Sequence, residues 1–296
     1  MAMLSTQKSQ NLNPVRTWQR RLDQQWSAAA ATAQTFSFDI PRDHFIHEIH
    51  LTVYEHTSTK TRDPTKLVDD LDAGEVSLVG NGNKVLKLGL GAMFKQVMKI
   101  NKRKPVTGLY TLFFSDPKIG DAKPLPAWLF TSLTLNLTDN APAASNYHTI
   151  EVVITESAYE QQPLENWKVL IEKYSQWAKY GTNTLEQKFE HERANKVYGY
   201  LYLMDDNGTP SATIYDLLKL VGRKPEGELT VIDVPVPLLK AEDDSEIGID
   251  TLGTGYLFIE WGLGFPAHEF SNLWSKPNIP VAGTNAGLRV LERYVL

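Results

Sequence analysis

The chain repeats itself. The β-rich octad IHLTVYEH at 49–56 is followed by TGLYTLFF at 107–114, and YGYLYLMD at 198–205 is followed, after nearly the same interval, by TGYLFIEW at 254–261. Two matching strand pairs at matching spacing point to two copies of one all-β unit, and the spacing is too long for a solenoid or propeller repeat. Length agrees, because 296 residues divide into two units of about 130–150 residues, each able to bury its own core.

Charge and composition remove several function classes. A formal net charge of −5 provides no basic field to attract nucleic acid. The absence of cysteine removes disulfides, thiolate nucleophiles and cysteine-ligated zinc together. The first thirty residues lack the apolar core of a signal peptide, and no apolar run approaches the roughly 18–20 residues that span a bilayer. A soluble chain is expected, one that meets a membrane only from the side. Residues 1–13 are polar and without periodicity, as in an arm ordered by a partner.

From 14 to 34 the run PVRTWQRRLDQQWSAAAATAQ has helix-compatible composition, and Trp18, Leu22 and Trp26 fall at i, i+4 and i+8 on one helical face. The expectation is a short N-terminal helix with Arg16, Arg20 and Arg21 beside that stripe. It either packs its tryptophans on its own domain or serves as a basic amphipathic foot on a lipid surface or inner partner.

Alternating patterns predict strands at 36–40, 49–54, 109–114, 133–137 and 150–155, with a hairpin of 75–79 and 84–88 about the GNGN turn at 80–83. A helix is expected over 89–100. The Pro/Gly-rich stretch 115–126 reads as an exposed loop. Trp167, Leu170, Ile171, Tyr174 and Trp177 recur at helical spacing between Pro163 and Gly181, which predicts a bridging helix over 164–180. The second unit then reads as a strand at 198–204, a DDNG turn at 205–208, a short helix at 213–221, and strands at 229–236, 256–261 and 288–295. The expected division is an N-terminal arm and helix (1–34), a first β-unit (35–160), a bridging helix and linker (161–195) and a second β-unit (196–296).

Chemistry-bearing motifs are sparse. His44, His47 and His50 invite a metal. On a regular strand, however, His47 points away from the other two, and His44 and His50 stand about 20 Å apart. His268-Glu269 lacks the second histidine of a zincin helix. Asp205-Asp-Asn-Gly208 is turn chemistry rather than an EF-hand. The acidic run 242–246 could hold a divalent cation, although a solvated loop accounts for it. The glycine-rich spots match neither a dinucleotide fingerprint nor a P-loop, and no nucleophile elbow is present. Neither catalysis, a metal nor a cofactor is expected. Tyr198, Tyr200 and Tyr202 would share one strand face, either as core filling, the favoured reading, or as a sugar platform.

In this order, a Trp-bearing N-terminal segment, a β-unit ending in SLTLNLT, a bridge at 163–180 and a β-unit opening at KVYGYLYLMDD, the chain resembles the double jelly-roll major capsid proteins of tailless icosahedral viruses. The compact forms from membrane-containing bacteriophages are the nearest in layout. The resemblance covers about residues 35–296 and implies two tandem eight-stranded jelly-roll β-barrels per subunit. It also implies homotrimeric capsomers of pseudo-hexagonal outline, because two similar barrels in each of three chains make six near-equivalent corners. Such capsomers tile an icosahedral shell around an internal membrane, beside neighbouring capsomers, penton and minor capsid proteins, with no sequence-specific nucleic acid. The chain would be assembled in the host cytoplasm and reside in the virion. Arg16, Trp18, Arg20, Arg21 and Trp26 would then face the membrane or an inner partner, and loops 115–126 and 241–255 would face outward or line trimer contacts. The alternatives are a carbohydrate-binding or adhesive β-sandwich, and a sandwich glycosidase needing two carboxylates across a cleft.

Overall fold

The computed structural model describes residues 17–26, 33–56, 66–116, 119, 122–139, 146–158, 168–176, 188–192, 194, 196–211, 215–247, 251–278 and 286–295. The first half runs β1 (Thr17–Arg21), β2 (Gln25–Trp26), β3 (Gln34–Asp39), β4 (Phe45–His56), β5 (Glu75–Gly80), β6 (Lys84–Leu90), α1 (Gly91–Ile100), β7 (Leu109–Phe113), β8 (Ala122–Lys123), β9 (Leu125–Pro126), a 3-10 turn (Ala127–Leu129), β10 (Leu133–Asp139) and β11 (Tyr147–Ser157). The second half runs β12 (Lys168–Gln176), β13 (Phe189–Glu190), β14 (Lys196–Asp206), β15 (Thr209–Pro210), β16 (Leu217–Lys224), β17 (Gly227–Pro235), α2 (Val236–Ile247), β18 (Tyr256–Phe265), a second 3-10 turn (Ala267–Glu269), β19 (Asn272–Asn278) and β20 (Ala286–Val295).

Each half is a sandwich of two four-stranded layers. In the first, β1-β11-β4-β7 lies over β3-β10-β5-β6; in the second, β18-β14-β20-β12 lies over β13-β19-β16-β17. Period-2 alternation builds these layers: in β10 the buried Leu133, Leu135 and Leu137 face inward, beside Phe36 and Phe38 of the neighbouring β3. The two halves join edge to edge, because β12 pairs in parallel with β6 through Glu172↔Lys87 and Lys173↔Leu88. Above that seam α1 turns Phe94 into its own barrel's core and Met93, Val97, Met98 and Ile100 onto Leu201, Leu203 and Phe258 of the second. β14 is therefore buried on both faces.

The duplication extends to single residues. Gly108 and Gly255 stand just before β7 and β18 at φ +70 and +78, and their carbonyls accept the N–H groups of Val53 and Met204. A Cβ would lie 2.8 Å from the Val53 carbonyl oxygen or 2.5 Å from that of Met204. The repeated Thr-Gly is thus a backbone requirement. Gly108→Ala and Gly255→Ala are each expected to cost about 1–3 kcal/mol of unfolding free energy in urea titrations. Each 3-10 turn likewise carries a phenylalanine onto a glycine: Cβ atoms at Gly80 and Gly222 would meet the rings of Phe130 and Phe270 at 2.3 and 2.1 Å.

Several expectations fail, and for related reasons. Where described, the N-terminal helix is β1 and β2, and the bridging helix is β12. Spacing of i, i+4 and i+8 is a multiple of two as well as a near-multiple of 3.6, so it suits a strand face equally. Both segments occupy the same place in their barrels, β1 pairing with β11 and β12 with β20. Leu170 and Ile171 are both fully buried because β12 is an interior strand covered on both faces, which removes alternation from its sequence. The short helix expected at 213–221 is, where described, strand β16 from Leu217, held between β17 and β19, and 213–214 lie outside the described residues. The acidic run 242–246 lies in α2 rather than a loop, where Asp243 accepts the Phe258 N–H at 2.8 Å and Asp244 pairs with Lys240 at 3.1 Å. In segment 115–126, expected to be exposed, the described residues Asp116, Ile119, Ala122 and Leu125 are buried, and 117–118 and 120–121 lie outside the described residues. Leu252, in the other supposed outward loop, is buried beneath α1.

Candidate functional site

β1 carries most of the residues expected to touch a membrane or inner partner. Arg20 forks onto Asp43 at 3.1 and 2.8 Å and sets its Nε 3.0 Å from the buried Glu156. The Trp18 indole N–H donates to the same Glu156 at 3.2 Å, and the ring meets His44 edge-on at 4.8 Å. Arg21 pairs with Glu151 at 2.7 Å. Trp26 is brought alongside through the pairing of β2 with Thr149, and Arg16 lies outside the described residues. Arg20 and Arg21 are thus paired with carboxylates of the barrel, and Trp18, 37% exposed, and Arg21, whose side chain is 46% exposed, lie at the surface.

The hydrogen bonds from Arg20 hold the Asp43 carboxyl below its ordinary value, against a smaller effect of burial. A depressed carboxyl supports the fold above its unfolded value near 3.8 and loses that support as pH falls through the folded value. Exposed pairs contribute about 0–1 kcal/mol. Asp43→Asn should therefore lower the melting temperature slightly at neutral pH and meet the parent protein's curve well below pH 4, so that the acid limb of the profile is flatter.

The histidine trio does not converge. A bulge in β4 opposite Thr155 and Glu156 places His47 on the same face as His50, contrary to the regular-strand expectation, because one extra residue reverses the alternation. His47 bonds Ser157 at 2.8 Å, and His50 bonds Thr111 and Thr155 at 3.1 and 3.2 Å. Burial lowers the pKa of both rings. His44 instead joins Asp43 and Glu156 in a metal-like triad, but the Arg20 guanidinium already sits between those carboxylates.

A second cluster closes a corner of the first barrel. His148 on β11 stands opposite Glu55 on β4, donates from Nδ1 to Asp139 at the end of β10, and turns Nε2 to Asp70 at 2.9 Å and Glu55 at 3.6 Å. Burial opposes the imidazolium, yet the hydrogen bond and charge of Asp139, with the charges of Asp70 and Glu55, raise the His148 pKa overall. Asp70 is raised too, by burial and by its two carboxylate neighbours against the pull of His148.

The deepest constellation is at the seam. Lys87 Nζ lies 2.9 Å from Glu172 Oε2, Arg293 Nε lies 3.0 Å from Glu172 Oε1, and Arg293 Nη2 lies 2.8 Å from Asp116. All four side chains are 0–1% exposed. Burial pushes the Lys87 ammonium down to about 8, against the pull of Glu172. Two cations and two anions cancel, which is the condition for charges to lie in a dry interior. The network contains no nucleophile-and-base pair and is sealed among the described residues; it connects β6, β12, β20 and the segment after β7. The sequence reading missed it because its members are scattered and three sit in strands read by their apolar neighbours.

No protein-family model and no curated protein matches the chain. Solved structures do. The STIV MCP aligns at a TM-score of 0.70 and 13% identity over 94% of this chain and 97% of that one. The fold is a double jelly roll. A chain in the atomic structure of Sulfolobus Turreted Icosahedral Virus gives 0.71 at 12% identity, covering 94% of this chain and 90% of that one. The major capsid protein P2 from bacteriophage PM2 gives 0.62 at 12%, covering 95% and 98%. In the double jelly roll β1 and β12 are the leading strands of the two barrels, and the buried charges lie where one barrel meets the other.

Proposed function

We propose that the chain is a structural major capsid protein that resides in a virion and forms homotrimeric capsomers of pseudo-hexagonal outline, with no catalytic role. The observation that carries this reading is the seam: two barrels of the same design are locked at one relative position by a parallel strand pair, a shared helix and a neutral buried charge network. A subunit that supplies two near-equivalent corners to a lattice needs that rigidity. The full-length likeness to capsid proteins supports it.

The division into barrels follows as part of the proposal, with 35–160 and 196–296 as their bodies and β1 and β12 added from the flanking segments. Neighbouring capsomers, penton and minor capsid proteins are the expected partners. Contact with an internal membrane or inner partner is assigned to Arg16, Trp18, Arg20, Arg21 and Trp26 together with the polar arm, with Trp18 and Arg21 as its exposed described members. The sugar-platform alternative loses its basis, because Tyr198, Tyr200 and Tyr202 are all buried. A bulge between Val197 and Gly199 separates Tyr198 from the other two.

Single-particle averaging of the purified protein in negative stain tests the reading. Threefold particles with a hexagonal outline are expected, and dispersed two-lobed monomers would overturn it. Deleting residues 1–16, which leaves β1 in its sheet, should preserve the trimer and impair shell assembly. Unimpaired assembly would dismiss the arm's role alone.

A further inference from the structure

We infer that the closed corner of the first barrel is a binding site for a divalent transition-metal ion, zinc above all, with His148 Nε2, Asp70 and Glu55 as ligands and Asp139 as the carboxylate that orients the imidazole. One donor atom from each of the three ligand residues lies within 4.8 Å of the others. The separations from Nε2, 2.9 Å to Asp70 and 3.6 Å to Glu55, bracket the roughly 3.4 Å between neighbouring ligands of a tetrahedral ion bound at about 2.0–2.2 Å. Asp139 supplies the outer contact typical of metal-bound histidine, accepting from Nδ1 so that Nε2 faces the site.

Three observations separate this corner from an ordinary polar cluster. First, His148 is fully buried and Asp139 is 1% exposed, and among the described residues Asp139 Oδ1 has no hydrogen-bond partner. Second, three carboxylates share one imidazole: among the described residues no lysine or arginine pairs with Glu55, Asp70 or Asp139, whereas Arg20 fills the similar triad at Asp43, His44 and Glu156. Even a protonated ring leaves negative charge uncompensated, and a dication would cancel it. Third, the twin barrel does without the histidine. Val53 and Met204 hold the same hydrogen bond to Gly108 and Gly255, and two residues on, Glu55 pairs with His148 while Asp206 pairs with Ala286. Closing a barrel corner therefore needs no imidazole.

One imidazole with two carboxylates selects zinc or a neighbouring transition metal over calcium, which takes oxygen ligands throughout. Asp70 and Glu55 retain partial exposure, 33% and 21% for their side chains, and supply the entry path. Bound metal would tie segment 66–74 to the ends of β4, β10 and β11.

The test is calorimetric titration of zinc chloride into chelator-treated full-length protein, paired with thermal melts. One zinc per chain and a raised melting temperature are expected, with Asp139→Asn weakening binding about 10–100-fold. Asp70→Asn, at a half-exposed position, keeps the fold, as its circular dichroism should show, and should lose most of the affinity. Absence of saturable binding, or binding that Asp70→Asn and His148→Asn both leave unchanged, would overturn the site.

Discussion

Glu172→Ala is expected to destabilise the protein by about 3–5 kcal/mol, because it leaves Lys87 and Arg293 buried beside one remaining carboxylate. Glu172 bridges both cations across the seam, at 2.9 Å to Lys87 and 3.0 Å to Arg293. Lys87→Met should cost less, since Glu172 keeps its bond to Arg293 and the methionine fills the aliphatic path over the Phe114 ring, which the ammonium overlies at 4.9 Å. The combined variant Lys87→Met with Glu172→Gln should recover part of the loss of Glu172→Ala. Urea unfolding of the three proteins measures the ordering. Equal losses for Glu172→Ala and Lys87→Met would mean that burial of the strand pair, not charge balance, holds the seam.

Phe258→Ala is expected to cost a similar 3–5 kcal/mol, and to act on the joint between barrels rather than on either core. The ring is buried in the cluster formed with Met93, Val97 and Met98 of α1. Gly199 leaves room for it, since a Cβ there would come within 2.7 Å of the ring. Truncation opens a void between α1 and the sheet that carries β14, β18 and β20, which cannot collapse into it. Leu229→Ala, at a residue 49% exposed, is the control, with an expected change within about 0.5 kcal/mol. The two variants compared by denaturant titration at equal protein concentration give the measurement. A Phe258→Ala loss as small as that of Leu229→Ala would show that α1 contributes little to docking.

Legibility varied with how local the deciding interaction was. The hairpin at 75–90 was readable because Asn81 and Gly82 adopt φ 53 and 76, a conformation that Asn-Gly announces on its own. The helix at α1 was readable from its stripes. A further repeat went unread: Pro126-Ala-Trp-Leu-Phe130 and Pro266-Ala-His-Glu-Phe270 mark the two 3-10 turns and their Phe-on-Gly contacts. The corner at His148 had no sequence signal, because its four members come from β4, β10, β11 and a loop and meet only when the barrel closes.

By itself, then, the sequence determined the all-β class, the duplication and the turns, since alternation, Thr-Gly and Asn-Gly encode backbone geometry within a few residues. Only the tertiary structure decided that 168–176 is a strand and not a helix, that His47 shares a face with His50, and that Lys87, Glu172, Arg293 and Asp116 meet. Those outcomes depend on strand pairing and on burial from both sides, which are properties of neighbours distant in the chain and leave no period in the local sequence.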